Sequence, residues 1–334
     1  MTHHPPAGIL SALTVAAQAA EQVRGTTSPN PPVGAVILDA SGQIIGVGAT
    51  QPPGGAHAEV MALDAAGERA RGGTAVVTLE PCNHTGRTGP CSQALIDAGI
   101  TAVYYANPDP FPQAAGGADH LRAAGVDTHL LAEPVAALQP WLGATVLGRP
   151  HVTLKFAGTL DGFAAATDGT SQWITGSQAR AFVHTDRSQR DAIMVGTGTV
   201  LADNPSLTAR GPDGLHVHQP RRVVVGQRPV PAGSNLAQLG YEQYAGMNEA
   251  LAALWETGSR DILLEGGPTL ATAMLRAGMV DAIQAYIAPA ILGAGKSVLS
   301  WDGETTIAEI MRFHTTAVRQ LGDDVLIEMT RKDH

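Results

Sequence analysis

The chain has 334 residues, of which 44% are hydrophobic and 15% charged, and a formal net charge of −9. This composition is typical of a folded globular protein rather than a disordered one, and the length favours two domains. The acidic balance argues against a nucleic-acid-binding surface, which needs a basic stripe along the phosphates. Two cysteines are too few for a disulfide framework, so we expect a cytoplasmic protein.

The first half of the chain alternates helix and strand patterns. Apolar residues recur at helical spacing from Gly8 to Arg24; this run is too short to span a membrane and lacks the preceding Lys or Arg of a signal peptide. Further helices are predicted to open at His57 and at Cys91. The predicted strands are VGAVILD, IIGVGAT, GTAVVTLEP, TAVYYAN and a short one after a helix near Leu121. Such alternation predicts a mixed or parallel sheet with helices on both faces.

The predicted domain boundary follows a helix over AEPVAALQPWLGATVLG, which Pro150 ends. The two domains are therefore residues 1–148 and 149–334. In the second, HVTLKFAGTLDGFAA predicts two strands around a turn, and SQARAFVHTDRS and TLATAMLRAG predict helices. DAIMVGTGTVL predicts a buried strand that runs into a short helix, and RRVVVG and DILLEGG predict further apolar strands. Residues 211–247, rich in Gly and Pro, should be the least regular part.

Both cysteines, Cys82 and Cys91, lie downstream of a His-x-Glu pair formed by His57 and Glu59. Imidazole and thiolate are ligands that suit Zn²⁺, and three protein ligands leave a fourth position for water, as in catalytic zinc sites. Glu59 can then carry a proton from that water to a leaving nitrogen. A helix-capping histidine beside two buried cysteines would explain each residue alone but not all four together.

The same four residues form the signature of zinc nucleoside deaminases, which is His-x-Glu followed by Pro-Cys and a second Cys. Here eight residues, NHTGRTGP, separate the cysteines where that signature has two. The insertion argues against a plain cytidine or tRNA-adenosine deaminase. It also carries His84 and Arg87, which are candidates for binding a larger substrate.

The second half lacks the Gly-x-Gly-x-x-Gly fingerprint of ordinary dinucleotide-binding domains after its strands. EGGPTLATAML instead places two glycines between a strand and a helix whose N-terminus can hold phosphate. A tight strand-to-helix turn explains this segment equally well. AILGAGKS is not a phosphate-binding Walker loop, because Ala290 replaces the required first glycine.

Several motifs resemble the bifunctional deaminase/reductase family of riboflavin biosynthesis. SPNPPVGAVI, HAEV and TLEPCNHTGRTGPC resemble its deaminase domain, and LKFAGTLDGFAA, SQWIT, GTGTVLADNPSLTAR and EGGPTL resemble its reductase domain, in the same order. The resemblance covers nearly the whole chain. It implies an α/β protein with an N-terminal cytidine-deaminase-like three-layer αβα domain followed by a dihydrofolate-reductase-like α/β domain. One Zn²⁺ per chain and NADPH are the implied cofactors.

The implied first reaction is hydrolytic removal of the C2 amino group from 2,5-diamino-6-(5-phosphoribosylamino)pyrimidin-4-one. The second reduces the ribose chain, through its open-chain aldehyde, to give 5-amino-6-(5-phosphoribitylamino)uracil. By this resemblance His57, Cys82 and Cys91 are the zinc ligands and Glu59 the proton shuttle. Lys155 is a candidate for polarising the carbonyl or imine, with an edge lysine in solvent as the alternative.

The remaining site residues are implied by motif position. Those that would contact substrate are Asn30, His84, Arg87, Ser171, Arg187, Leu207, Arg210 and Glu265, the arginines through its phosphate. Those that would contact NADPH are Ala157, Trp173, Thr199, Asp203, Gly266, Gly267, Pro268, Thr269, Leu270, Ala271 and Thr272. On residue type alone, Asn30 is also typical of a turn, Arg187 of a solvated helix charge and Asp203 of a cap or turn.

Three positions depart from the family pattern. Gly117 stands where an Arg is usual, Thr159 where the family has Ser, and Gly226 where an Asp is common. Residues 226–247 also look shortened.

Two other functions stay open. One is a monofunctional zinc deaminase whose second domain only binds nucleotide or mediates assembly; the other is a non-catalytic protein stabilised by a four-ligand zinc. We expect a phosphorylated pyrimidine as substrate, no nucleic-acid or membrane partner, and a homo-oligomer, either a dimer or a tetramer.

Overall fold

The computed structural model describes residues 7–84, 89–111, 114–301, 303 and 305–332. The chain divides into two compact units, Met1–Gly148 and Arg149–His334, each with its own sheet and core. Within the described ranges, no helix combines the length and the apolar character needed to cross a membrane.

The first unit is a five-stranded sheet flanked by helices. Its helices are α1 (Ala7–Gln22), α2 (Ala58–Ala66), α3 (Cys91–Asp97), α4 (Gly117–Ala123) and α5 (Gln139–Leu147). Its strands are β1 (Gly34–Leu38), β2 (Ile44–Ala49), β3 (Thr74–Leu79), β4 (Ala102–Asn107) and β5 (Asp127–Leu130). The order is β2-β1-β3-β4-β5, with β1 antiparallel to β2 and β3, and β3, β4 and β5 mutually parallel. This is the mixed sheet that the alternation predicts.

Glycines on the first two strands let helices approach both faces of this sheet. A Cβ at Gly34 would lie 1.9 Å from the Ala16 carbonyl oxygen of α1, and one at Gly48 would lie 2.3 Å from the Ala58 carbonyl oxygen of α2. Gly48 pairs with Ala35, the neighbour of Gly34, and successive residues of a strand face opposite sides. Helices α1 and α2 therefore cover opposite faces, which gives the expected three layers.

The second unit is built on a larger sheet. Its helices are α6 (Ser177–Ser188), α7 (Thr197–Asp203), α8 (Asn235–Leu239), α9 (Met247–Glu256) and α10 (Pro268–Arg276). Its strands are β6 (His151–Thr159), β7 (Phe163–Ala165), β8 (Ala192–Gly196), β9 (Arg210–Gly211), β10 (Gly214–Leu215), β11 (Arg221–Val225), β12 (Glu242–Tyr244), β13 (Asp261–Leu264), β14 (Ala282–Ala288), β15 (Lys296–Ser297), β16 (Phe313–Leu321) and β17 (Asp324–Arg331). Strands β9 and β10 pair with each other, as do β7 and β15.

The main sheet has the order β12-β11-β8-β13-β6-β14-β17-β16, in which the first six strands are parallel and β17 is antiparallel to both of its neighbours, β14 and β16. Its strand β8 is buried on both faces: Met194 belongs to one hydrophobic cluster, and its neighbours Ile193 and Val195 belong to another. In such open sheets ligands bind at the carboxyl ends of the parallel strands. These ends lie at Gly196, Val225 and Leu264 for β8, β11 and β13.

Two predicted features differ from the structure. The helix expected over residues 132–148 is α5 alone, preceded by a 3-10 turn at Ala136–Leu138. Residues 211–247, expected to be the least regular, contain β11, α8 and β12. Their turns carry the Gly and Pro residues, while apolar side chains such as Leu236 are fully buried.

Candidate active sites

His57, Cys82 and Cys91 come together in the first unit. His57 caps α2, Cys82 follows β3, and Cys91 is the first residue of α3. The His57 Nδ1 atom lies 3.6 Å from Cys82 Sγ and 3.3 Å from Cys91 Sγ, and the three atoms lie within 4.8 Å of one another. Tetrahedral zinc places nitrogen and sulfur ligands about 3.6 Å apart and two sulfurs about 3.8 Å apart. The donor set and its spacing therefore fit zinc.

Hydrogen bonds favour a thiolate at Cys82. A hydrogen bond with the Cys91 thiol, together with His57 and the Cys91 backbone N–H, lowers the pKa of Cys82 to about 4 despite burial. The Cys91 backbone N–H lies 3.4 Å from Cys82 Sγ, at the start of α3. The same thiol contact and burial raise the pKa of Cys91. Without metal the pair thus holds one proton, which a bound Zn²⁺ would displace.

Glu59 is buried in the first turn of α2, with 4% of its surface exposed. Burial, and then the charge of Cys82, raise the pKa of Glu59 to about 7. A carboxyl that titrates near neutrality can both accept and donate a proton. Glu59 also interacts electrostatically with Cys82 and His57 of the ligand cluster.

Glu80, which the sequence analysis did not single out, anchors the segment between β4 and α4 that carries Gly117. Glu80, in the TLEPC motif, accepts hydrogen bonds from the backbone N–H groups of Asp109, Gly116 and Ala118 at 3.0–3.4 Å. A Cβ at Gly117 would lie 1.7 Å from the Pro81 carbonyl oxygen, immediately before Cys82. The family's Arg at this position therefore has no room here, and no cation is presented to substrate from it.

The other site residues predicted in the first unit, Asn30, His84 and Arg87, are not part of the ligand cluster. Asn30 is half-buried, and its backbone N–H closes a turn on the Thr27 carbonyl oxygen at 2.9 Å, so the turn interpretation holds for its backbone. His84 is exposed and interacts electrostatically with Asp109. Arg87 lies outside the described residues.

In the second unit Lys155, Arg187 and Glu265 form a second cluster. Arg187 donates from Nε and Nη2 to the two Glu265 oxygens, at 2.6 and 2.7 Å. The Lys155 amine lies 5.7 Å from the centre of the Tyr286 ring and interacts with Glu265. Burial lowers the pKa of Lys155, and Glu265 opposes that shift. Strand β6 lies between β13 and β14, so Lys155 is not an edge lysine.

Arg187 differs from the expectation of a solvated or phosphate-binding cation. Its side chain is 14% exposed, and Nη1 also donates to the Thr208 carbonyl oxygen at 3.0 Å. Arg210, by contrast, is exposed and donates from Nη2 to His184 Nε2 at 3.4 Å. His184 lies one turn before Arg187 on α6, and its Nδ1 is 3.0 Å from the same Thr208 oxygen. This spacing, three residues along a helix, is the signal from which His184 could have been found.

The EGG segment and Thr199 form a cradle at the carboxyl end of β13. Gly266 and Gly267 have φ values of +129° and +67°, and Cβ atoms there would lie 3.2 and 3.0 Å from Thr199 Oγ1. Two half-buried glycines directly before the N-terminus of α10 allow a diphosphate to approach the backbone closely. These residues therefore fit the phosphate part of a dinucleotide such as NADPH.

The other residues predicted to contact the cofactor or the substrate differ in burial. Ala271 and Leu207 are buried in hydrophobic clusters, and Thr272 Oγ1 accepts from the Ser300 N–H at 3.1 Å, so these side chains make contacts within the protein. Asp203 is the last residue of α7 and therefore not its N-cap. Pro268, Thr269 and Leu270 form the first turn of α10. Ala157 of β6 and Ser171 are half-buried, and Trp173 and Asp203 are exposed.

Comparison with known proteins matches one family model to each of the two units. Residues 9–107 match the family model "cytidine and deoxycytidylate deaminase zinc-binding region", and residues 150–327 match the model "RibD C-terminal domain". The riboflavin biosynthesis protein RibD of Corynebacterium ammoniagenes is 60% identical over 297 residues, which cover 86% of this chain and 88% of that protein. The chain belongs to the RibD family. RibD of Mycobacterium tuberculosis is 48% identical over 330 residues, covering 96% of this chain and 97% of that protein.

Solved structures show the same family over nearly the full length of the chain. RibD of Acinetobacter baumannii superimposes with a TM-score of 0.87 at 36% identity, covering 98% of this chain and 99% of that one. A deaminase/reductase from Thermotoga maritima gives a TM-score of 0.87 at 31% identity, covering 97% and 99%. The fold is a cytidine-deaminase-like unit followed by a RibD reductase unit.

The chain is thus a bifunctional enzyme of riboflavin biosynthesis, with a zinc-dependent deaminase and an NADPH-dependent reductase. The monofunctional alternative is not favoured, because the reductase half matches a RibD model of its own. Among the described residues the metal cluster has three protein ligands, which agrees with an open catalytic zinc rather than a closed structural one.

Proposed function

We propose that the RibD chain deaminates its diaminopyrimidine substrate at His57, Cys82, Cys91 and Glu59, within residues 1–148. Residues 149–334 then reduce the sugar of the product beside Lys155. The first step is supported by one nitrogen and two sulfur atoms whose spacing fits zinc, next to the buried carboxyl group of Glu59. The second rests on the buried Lys155–Glu265–Arg187 cluster.

Deamination adds water across C2 of the pyrimidine and releases ammonia. His57 Nδ1 and the two thiolates would hold Zn²⁺, which would supply a bound water of lowered pKa as the nucleophile near neutral pH. Glu59 accepts the proton of the attacking water and delivers it to the leaving amino group. The C2–N bond breaks and the water oxygen becomes the C2 carbonyl.

Reduction takes place on the ring-opened sugar at its C1′ carbon. Gly266 and Gly267 would hold the phosphates of NADPH, which would supply the hydride. The Lys155 ammonium polarises the carbonyl or imine and gives a proton to its heteroatom as the hydride adds to C1′. Glu265 keeps the ammonium oriented and is itself fixed by Arg187.

The geometry favours different roles for the two predicted phosphate-binding arginines. The three guanidinium nitrogens of Arg187 each donate a hydrogen bond, and Arg187 acts as a positioning residue for Glu265. Arg210 is exposed at the start of β9, so it is the better candidate for the substrate phosphate. Asn30, His84 and Arg87 are proposed to contact the pyrimidine and its ribosyl phosphate in the deaminase site.

We also propose a cytoplasmic homo-oligomer without nucleic-acid partners. Both cysteines are unpaired, as expected in a reducing compartment, and the chain is acidic. Passage of an intermediate between two sites favours an assembled enzyme.

The test supplies zinc-loaded protein with 2,5-diamino-6-(5-phosphoribosylamino)pyrimidin-4-one and follows ammonia release and NADPH absorbance. Ammonia should form without NADPH, and NADPH oxidation should require prior deamination. Ammonia release with neither NADPH nor NADH consumed would contradict the reductase assignment. Absence of both signals in zinc-replete protein would contradict the substrate.

A further inference from the structure

An arginine that the proposed mechanism does not use lies near the carboxyl ends of two parallel strands of the second sheet. Strands β8 and β11 are parallel neighbours that end at Gly196 and Val225. Arg228 follows β11, and its Nε donates to Thr197 Oγ1 at 3.4 Å. Its Nη2 lies 3.1 Å from where a Cβ on Gly198 would stand. The guanidinium thus lies across the first residues of α7.

The backbone on either side of this arginine is fixed from the neighbouring strand. Gln243, in β12, donates from Nε2 to the carbonyl oxygens of Gly226 and Arg228, at 2.7 and 2.8 Å. The turn after β11 is therefore held at both ends. An arginine on a fixed backbone loses less conformational freedom when it binds a ligand.

The same turn leaves no space for an acidic residue. Gly226 has a φ of +128°, and a Cβ there would lie 2.7 Å from Thr197 Oγ1. In dinucleotide-binding sheets, a carboxylate near this edge binds the 2′-hydroxyl of NAD, whereas a nearby arginine accommodates the 2′-phosphate of NADP. The Asp that is common in the family at position 226 is thus replaced by a residue that the packing requires to be glycine.

Arg228 is also available to an anion. It is exposed, and none of the ion pairs in the described part of the chain includes it. The two arginines that begin β11 differ: Arg221 pairs with Glu242, and Arg222 donates to backbone carbonyl oxygens. A guanidinium binds phosphate well through its planar fork of N–H groups.

We propose that Arg228 binds the 2′-phosphate of NADPH and thereby makes this reductase prefer NADPH to NADH. The proposal rests on the reductase site described above, since it needs the adenosine end of the cofactor to lie at β8 and β11 while its phosphates lie at Gly266 and Gly267. It assigns cofactor choice to a residue outside the Lys155 cluster.

The test measures calorimetric dissociation constants of NADP⁺ and NAD⁺, which differ only in the 2′-phosphate, for wild type and Arg228→Ala. Loss of a charge-assisted contact should weaken NADP⁺ binding by about 10- to 100-fold and leave NAD⁺ binding within about twofold. Arg319→Ala is the matched control, because Arg319 is a partly exposed arginine on β16, at the opposite edge of the sheet, where it pairs with Glu328.

Ammonia release by each variant reports that the first unit is intact, and retained NAD⁺ binding reports that the second unit is intact. Unchanged NADP⁺ binding in Arg228→Ala, or equal weakening of both nucleotides, would overturn the role of Arg228 while leaving the reductase assignment in place. If the wild-type protein binds neither nucleotide, the proposed reductase site itself is wrong, and this proposal with it.

Discussion

Arg187 and Glu265, which are 78 residues apart in the chain, form a two-point ion pair at 2.6 and 2.7 Å beside Lys155. One comes from α6 and the other directly follows β13. Their side chains are only 14% and 7% exposed. Burial alone would raise the pKa of Glu265, but the charge and hydrogen bonds of Arg187 lower it to about 2. Glu265 is therefore a permanent anion next to the lysine.

Replacing Glu265 with Gln should destabilise the second unit. The change leaves the Arg187 charge buried without its partner, which costs about 3–5 kcal/mol for a buried pair. The urea midpoint of the fluorescence transition measures this. Glu328→Gln is the control, because its pair with Arg319 is partly exposed and should contribute less than about 1 kcal/mol. Equal midpoints for the two variants would contradict the importance of the buried pair.

The same pair predicts a pH dependence of stability. The pKa of Glu265 is about 2 in the folded protein against 4.5 for the ordinary group, so the unfolded chain binds the extra proton between these values. Its contribution, about 3 kcal/mol, is thus present above about pH 4.5 and is lost as pH falls toward 2. Urea midpoints measured at about pH 5, 4 and 3 should fall more steeply for wild type than for Glu265→Gln. Parallel slopes would show that Glu265 is not the group responsible.

Glu59→Gln should separate the two activities. The amide cannot carry the proton, so ammonia release should fall about a hundredfold or more. Zinc content and NADPH oxidation with the deaminated intermediate should stay at wild-type values, because neither needs the carboxyl. Glu68→Gln is the control, as Glu68 is exposed and follows α2 in a 3-10 turn. Loss of zinc together with activity would instead assign Glu59 a structural role.

The deaminase site was predictable from sequence because its chemistry is rare. Only two cysteines occur in the chain, and both lie downstream of the His-x-Glu pair, so a shared zinc is the simplest explanation for His57, Cys82 and Cys91. The five strands of the first unit followed from apolar segments bounded by turns. Hydrophobic periodicity depends on residues close together in the sequence, so the helices and strands predicted from it are largely those of the folded protein.

The reductase site was less predictable, because its contacts join distant segments. Nothing near Arg187 in sequence indicates that its partner is Glu265, and the residue type alone suggested solvent or phosphate. Leu207 and Ala271 matched ligand-binding motifs, yet both side chains are buried in hydrophobic clusters. A motif identifies a segment, whereas the direction of each side chain depends on the packing around it.

The lowered pKa of Lys155 should be visible in the reductase reaction. Burial lowers this pKa from the ordinary 10.5, so the ammonium that polarises the substrate is lost at a lower pH than for a solvent-exposed lysine. With the deaminated intermediate as substrate, kcat/KM for NADPH oxidation should fall as pH rises through that pKa. Lys155→Met should abolish this oxidation and retain ammonia release, whereas Lys332→Met, an exposed lysine near the C-terminus, should retain both. A Lys155→Met enzyme with the wild-type pH profile would exclude the lysine from the chemistry.

Gly48→Ala tests whether close packing of α2 sets the position of the zinc site. The new Cβ would lie 2.3 Å from the Ala58 carbonyl oxygen, between His57 and Glu59, so α2 must move away from β2. Overpacking of this kind costs about 1–3 kcal/mol. Because the shift displaces His57 from the two sulfurs, zinc affinity measured by chelator competition should fall along with ammonia release. Gly8→Ala is the control: it lies in α1 with open space around it and should stabilise the helix by up to about 1 kcal/mol. Wild-type zinc affinity in Gly48→Ala would show that the loops carrying Cys82 and Cys91 adjust to the helix, and that the glycine serves packing alone.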